Sequence, residues 1–248
     1  MPRFVGGVHS RRPDAAAPPQ TRGYVLTSGW RYDLMLWCGN LVLRGQWQGL
    51  RQRTLDLAQL QRGETVLDVG CGTGTLALLV PPRVGDTGQV YGIDPSGPMI
   101  ARARRKAARR RLAIDFQVGV IEQLPFADQS CEVVLSTFMM HQLPDDLKVH
   151  GLAEIARVLK PGGRLLVIDT RRPPEHPGGP ARLVHTGRWN SGIQDQPALL
   201  QQAGFVQITS GALETRDRWL PEIGFVRGET GRASGRSAAS PPLGTPPE

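Results

Sequence analysis

The sequence predicts a doubly wound α/β domain, a mostly parallel seven-stranded sheet with helices on both faces. Three observations point there. Short apolar runs alternate with helix-like segments through the middle of the chain, as strands joined by helical crossovers do. The run Val66-Leu67-Asp68-Val69 enters a turn with glycine at positions 70, 72 and 74. The polar residues that stand out fall just after strands, where open parallel sheets bind ligands.

Residues 64–69 (ETVLDV) read as a buried strand. Thr75 to Val80 starts a helix that Pro81 and Pro82 stop, because proline lacks the amide a continuing helix needs. Gln89 to Ile93 is the second strand. Residues 97–111 form a helix with Pro98 tolerated in its first turn. Ala113 to Val118 and Cys131 to Ser136 are the third and fourth strands. Residues 145–159 form a helix, with Leu147, Leu152, Ile155, Val158 and Leu159 near one face. Pro161-Gly162-Gly163 is a turn before a fifth strand, Arg164 to Asp169. Gln196 to Ala203 is a helix ended by Gly204, Phe205 to Thr209 a strand, and a last strand lies within Trp219 to Val226. Ahead of these, residues 28–60 look helical and carry Trp30, Leu34, Leu36, Trp37, Leu41, Val42 and Leu43. Such a helix packs on the sheet edge, covers a substrate pocket, or does both.

Residues 1–23 and 228–248, rich in Pro, Gly, Ala, Ser and Arg, are expected to be disordered tails around a folded domain at 24–227. No apolar run approaches the roughly 18 to 20 residues that span a bilayer, and no secretory signal is apparent. A cytoplasmic protein is therefore expected, as a monomer or homodimer, with peripheral membrane contact left open. Cys38, Cys71 and Cys131 are widely spaced and suggest neither a disulfide framework nor a zinc site, so no metal is expected. The net charge of +8 suits an anionic partner, but arginine outnumbers lysine so heavily that biased coding also accounts for it. The run Arg102, Arg104, Arg105, Lys106, Arg109, Arg110 and Arg111 reads as a solvated helix face with no nucleic-acid module beside it.

Asp68 lies two residues before the first glycine and is expected to face the mouth of the site. The spacing is G-x-G-x-G, not the G-x-G-x-x-G of dinucleotide folds. Asp94 ends the next strand, where it suits the two hydroxyls of a ribose. A carboxylate before the glycines repels a pyrophosphate and suits a ligand with an ammonium and a sulfonium, such as S-adenosylmethionine.

The segments VLDVGCGTG, YGIDPSGPMIARAR, QLPFADQSCEVVLSTFMMHQLP and RVLKPGGRLLVID occur in order across about residues 30–209. In them the chain resembles class I S-adenosylmethionine-dependent methyltransferases, most of all the ubiquinone/menaquinone-biosynthesis type and its small-molecule relatives. The YDLM at Tyr32 to Met35 is similar too. The resemblance implies that Asp68, Gly70, Cys71, Gly72 and Gly74 line the methionine end of the cofactor. It implies that Asp94 binds the ribose, with Pro95, Ser96 and Met99 beside the adenosine. Gly119, Val120 and Ile121 would flank the adenine, although the family usually has an acid where this chain has Val120. Either that bond is absent or Glu122 replaces it. Ser136, Thr137 and Phe138 would reach the methyl-transfer region.

Methyl transfer needs a base only if the acceptor must lose a proton, and the candidates are His141, Tyr32 and Asp33. His176, His185 and Trp189 are candidates to cap the substrate, while His150 belongs on a helix surface. The expected activity is methylation of a small, hydrophobic acceptor. The rivals are an RNA or protein methyltransferase and a non-catalytic cofactor-binding protein of the same fold.

Overall fold

The computed structural model describes residues 21–25, 28–29, 33–34, 46–172, 192–213 and 222–232. Its strands are β1 (Thr65–Val69), β2 (Gln89–Asp94), β3 (Asp115–Val118), β4 (Cys131–Thr137), β5 (Leu159–Thr170), β6 (Val206–Leu213) and β7 (Ile223–Glu229). They form one sheet in the order β3-β2-β1-β4-β5-β7-β6. The first five pair in parallel, and β7 runs antiparallel between β5 and β6. The longer helices are α1 (Gln46–Ala58), α2 (Gly97–Arg109), α3 (Asp145–Val158) and α4 (Gln196–Gln202).

The central strands are apolar throughout because both faces are covered. Alternate residues serve opposite cores. Val66, Val133, Leu135, Leu166 and Ile168 lie under Leu55 and Ala58 of α1 and Ile100, Ala103 and Ala107 of α2. Leu67, Val69, Val134, Leu165 and Val167 lie under Leu152, Ile155 and Val158 of α3 and Leu200 of α4. Buried Arg164 on β5 fixes the end of α1. Its guanidinium donates to Ala58 O and Gln59 O at 2.7 Å each and grips both oxygens of Glu64 at 2.7 and 2.8 Å. A bidentate pair of this kind holds direction as well as distance.

Several sequence expectations change. Pro81 and Pro82 open a helical turn, Pro81–Val84, after a 3₁₀ turn at Ala77–Leu79. The first turn of a helix has no use for the missing amide, so proline begins it more readily than it ends the one before. Pro161, Gly162 and Gly163 lie inside β5, whose register with β4 jumps from Cys131↔Leu159 to Val133↔Arg164. This is a bulge, with Gly162 at φ +77°. The folded part passes Arg227. β7 runs to Glu229, and the Thr230 hydroxyl donates to Lys160 O at 2.6 Å. At the other end, Thr21 to Gly23 pack against the body of the domain. The helix expected at 28–60 is described at Gln46–Ala58 and at positions 29, 33 and 34, which are helical. Cys71 and Cys131 are buried, while Cys38 lies outside the described residues. No helix among the described residues is long and apolar enough to cross a membrane.

Candidate functional site

The chain winds outward from β1 to β3 and then returns to β4 on the other side of β1. Loops leaving β1 and β4 therefore diverge, and a crevice opens at the carboxyl ends of the strands. A cavity of about 680 Å³ lies there, within the usual range for small-ligand sites.

The glycine elbow forms one wall. Gly70 N and Cys71 N both donate to Ile93 O at 2.9 Å, which pins the turn to the end of β2. Gly70 (φ +73°) and Gly72 (φ +53°) are left-handed. A Cβ at Gly70 would stand 2.3 Å from Met139 Cγ, so two loops meet there with no room for a side chain. Gly74 does not reach the cavity. A Cβ there would meet Phe116 Cζ at 2.7 Å, so this glycine allows close packing against β3.

The two acids of the elbow differ. Asp94 lines the cavity, where its Oδ2 accepts Gly72 N and its Oδ1 accepts Ser96 N, both at 2.9 Å. Burial raises its pKa and those two amides oppose the rise. Each oxygen keeps a second lone pair for a ligand. Asp68 does not face the mouth as expected. It is 1% exposed and does not line the cavity, and the Ala77 amide is the donor that bears on its carboxyl. Burial, against the pull of the Ala77 amide and aided by the Asp94 charge, pushes its carboxyl up to about 7. The same burial, with both carboxylates nearby, raises the Cys71 thiol far above its ordinary range, so it is an inert lining group.

Pro95, Met99, Gly119, Val120, Ile121 and Glu122 continue the wall. Met99, 1% exposed, belongs to core and cavity at once. Ser136 does not line the cavity. It pairs with Val69 inside the sheet, fully buried, and its hydroxyl has no partner. Thr137 and Phe138 reach the cavity in its place. Phe138 is left-handed at φ +53°, a strained backbone for an aromatic residue, and its ring meets Trp47 of α1 edge-on at 5.7 Å.

His141 also lines the cavity. Its Nδ1 lies 2.5 Å from Asp169 Oδ1, and its backbone amide donates to Asp169 Oδ2 at 2.9 Å. Asp169 ends β5, is 1% exposed, and also accepts Thr170 N at 2.7 Å. A buried carboxylate on Nδ1 sets the tautomer and aim of an imidazole. Sequence reading gave Asp169 no role, although an acid at the end of a central strand is the same signal that marked Asp94.

Segments ahead of the first strand close the cavity. Thr21, Tyr24 and Val25, and Trp47, Leu50, Arg51 and Thr54 of α1, all line it. Tyr24 N donates to Gln142 O at 3.2 Å, and Arg22 pairs with Asp146. Asp33 is not placed to act as a base. Its Oδ1 accepts Lys106 Nζ and Thr73 Oγ1 at 2.7 Å each, and its Oδ2 accepts Arg102 Nε. Burial opposes ionisation, but these three donors outweigh it and hold the carboxyl below its ordinary value. Arg102 and Lys106 therefore hold the N-terminal segment to the elbow, and the basic face of α2 is not wholly solvated. Tyr32, His176, His185 and Trp189 lie outside the described residues. His150 is exposed on α3 as expected. Among the described residues, no group of three or more His, Cys, Asp or Glu is arranged to hold a metal ion.

A methyltransferase domain family matches residues 66–163. An arsenite methyltransferase of Halobacterium salinarum is 33% identical over 181 residues, 71% of this chain and 42% of that protein. A demethylmenaquinone methyltransferase of Halalkalibacterium halodurans is 35% identical over 144 residues, 58% of this chain and 57% of that protein. The chain thus spans about half the length of the curated relatives it matches. The crystal structure of a SAM-dependent methyltransferase from Aquifex aeolicus superposes with a TM-score of 0.58 at 25% identity, over 72% of this chain and 88% of that one. Residues 66–163 thus match a methyltransferase domain, and in fold and motif order the chain is similar to the class I S-adenosylmethionine-dependent methyltransferases.

Proposed function

We propose that this chain methylates a small, largely apolar acceptor held beside His141, with S-adenosylmethionine as donor. The observation that carries the reading is Asp94 at the elbow, a cavity-lining acid held by the Gly72 and Ser96 amides with lone pairs to spare for a ligand. The cofactor supplies a methyl group on a positively charged sulfur. Asp94 would hold the ribose hydroxyls, Gly70 and Gly72 would let the chain approach the amino-acid end, and Pro95, Met99, Val120 and Ile121 would enclose the base.

On the acceptor side, Phe138, Met139, Leu143, Trp47 and Val25 give the cavity apolar walls that exclude water. His141 is the group placed to take a proton from the acceptor atom, and Asp169 stabilises the imidazolium that results. The relatives named for arsenite and for demethylmenaquinone support an acceptor of small size.

The test is incubation of the full chain with methyl-labelled S-adenosylmethionine and a cell extract. Label is expected in a small product that partitions into organic solvent. Label recovered on RNA or protein, or no transfer at all, overturns the reading.

A further inference from the structure

We propose that Lys106, Asp33 and Thr73 are positioning residues that set cofactor affinity from outside the cavity, by holding the middle of the glycine elbow. This deepens the cofactor reading above and rests on it. Thr73 stands between Gly72 and Gly74, is 1% exposed and does not line the cavity. Lys106 and Asp33 do not line it either. The Lys106 ammonium has three protons and meets three acceptors. Its Nζ donates to Thr73 O at 3.2 Å, to Thr73 Oγ1 at 2.8 Å and to Asp33 Oδ1 at 2.7 Å. The Thr73 hydroxyl therefore accepts from the lysine and gives its own proton to Asp33 Oδ1, at 2.7 Å. Asp33 Oδ2 takes Arg102 Nε, so both of its oxygens are engaged. A network satisfied at every member is rigid, and loses that rigidity when one member is removed.

The elbow needs such a brace. Thr73 is flanked by two left-handed glycines, Gly72 at φ +53° and Gly74 at φ +73°, which have no stiffness of their own. Gly72 N holds Asp94 Oδ2 at 2.9 Å, so movement at Thr73 passes directly to the acid that lines the cavity. Burial lowers the pKa of Lys106 and the Asp33 carboxylate opposes the fall, so removing Asp33 strands the ammonium beside the elbow. Asp33 also brings in the N-terminal segment, whose Tyr24, Val25 and Ser28 line the cavity. That segment lies close on α2 at Gly29, where a Cβ would stand 3.4 Å from both Arg102 Cδ and Met99 Sδ. Elbow and N-terminal wall are thus joined through one ammonium group.

The experiment is titration calorimetry of the full chain with S-adenosylhomocysteine. Thr73→Val keeps the shape and removes the hydroxyl, and is expected to weaken binding by about tenfold. Thr73→Ser keeps the hydroxyl and is expected to bind within about threefold of the native chain. Lys106→Met should lose at least as much as Thr73→Val, and the two together no more than Lys106→Met alone, because both act through one network. Where the valine variant does not fold, Asp33→Asn carries the same test, with a loss of about threefold or more expected. Lys160→Met removes the pair with Glu132 at the amino ends of β4 and β5, away from the cavity, and its Kd should not move. Unchanged affinity in Thr73→Val or Asp33→Asn, an equal loss in Thr73→Ser, or an equal loss in Lys160→Met overturns this assignment and leaves the cofactor reading standing. Failure of the native chain to bind overturns both.

Discussion

The two halves of the cleft are built in different ways. The cofactor half is made of backbone from contiguous chain. One strand, one turn and the next strand end supply Gly70, Gly72 and Asp94, and main-chain amides hold the acid in place. The half we propose for the acceptor is made of side chains from four distant stretches. Trp47 comes from α1, Phe138 and His141 from the turn after β4, Asp169 from β5, and Val25 from the N-terminal segment. A binding elbow is a local property of the chain, whereas a pocket assembled from distant segments is a property of the folded domain. The first half should fail in binding when altered, and the second in turnover alone.

The largest effect should come from Gly70→Val. A side chain at φ +73° is strained, and its Cβ would overlap Met139 Cγ, so elbow and acceptor loop cannot both keep their places. No binding of S-adenosylhomocysteine is expected by calorimetry. Retained affinity would mean that the elbow does not form the site.

Next in size is His141→Asn. Loss of a general base costs about 10²- to 10⁴-fold in kcat, and the cofactor Kd should not move. Asp169→Asn should cost less, since Asp169 aims the imidazole without lining the cavity. If both variants weaken cofactor binding as much as they slow turnover, the halves are not separable and the dyad is structural.

The smallest effect, and the one that sharpens the comparison most, is in Asp68→Asn. Folding raises this carboxyl from 3.8 to about 7, so the fold favours its protonated form. The stability it gives is full below about pH 4 and is lost as pH rises through about 7. The ligand-free native chain should thus melt lower at pH 8 than at pH 5, while the variant keeps a flatter profile and melts higher by a few degrees, about the size a 1–2 kcal/mol change gives. Parallel melting profiles for the two proteins would show that Asp68 does not titrate there.

The sheet, the elbow and the acid of the second strand were legible from the sequence alone. Each rests on neighbours along the chain: apolar runs of strand length, glycines at fixed offsets, and an acid at the end of a strand. His141 was legible on the same ground, as a polar residue just after β4. Tertiary structure decided what those residues face. Asp68 and Ser136 sit next to the site in sequence, yet the pleat turns both away from the cavity. Asp33 looked like a base until Arg102, Lys106 and Thr73 surrounded it. Thr21 looked like tail and holds Glu122. Asp169 acquires its role from a residue 28 positions earlier. Local pattern fixes where a side chain leaves the backbone. Which partner it finds, and so its charge and its function, depends on segments far along the chain that only folding brings to it.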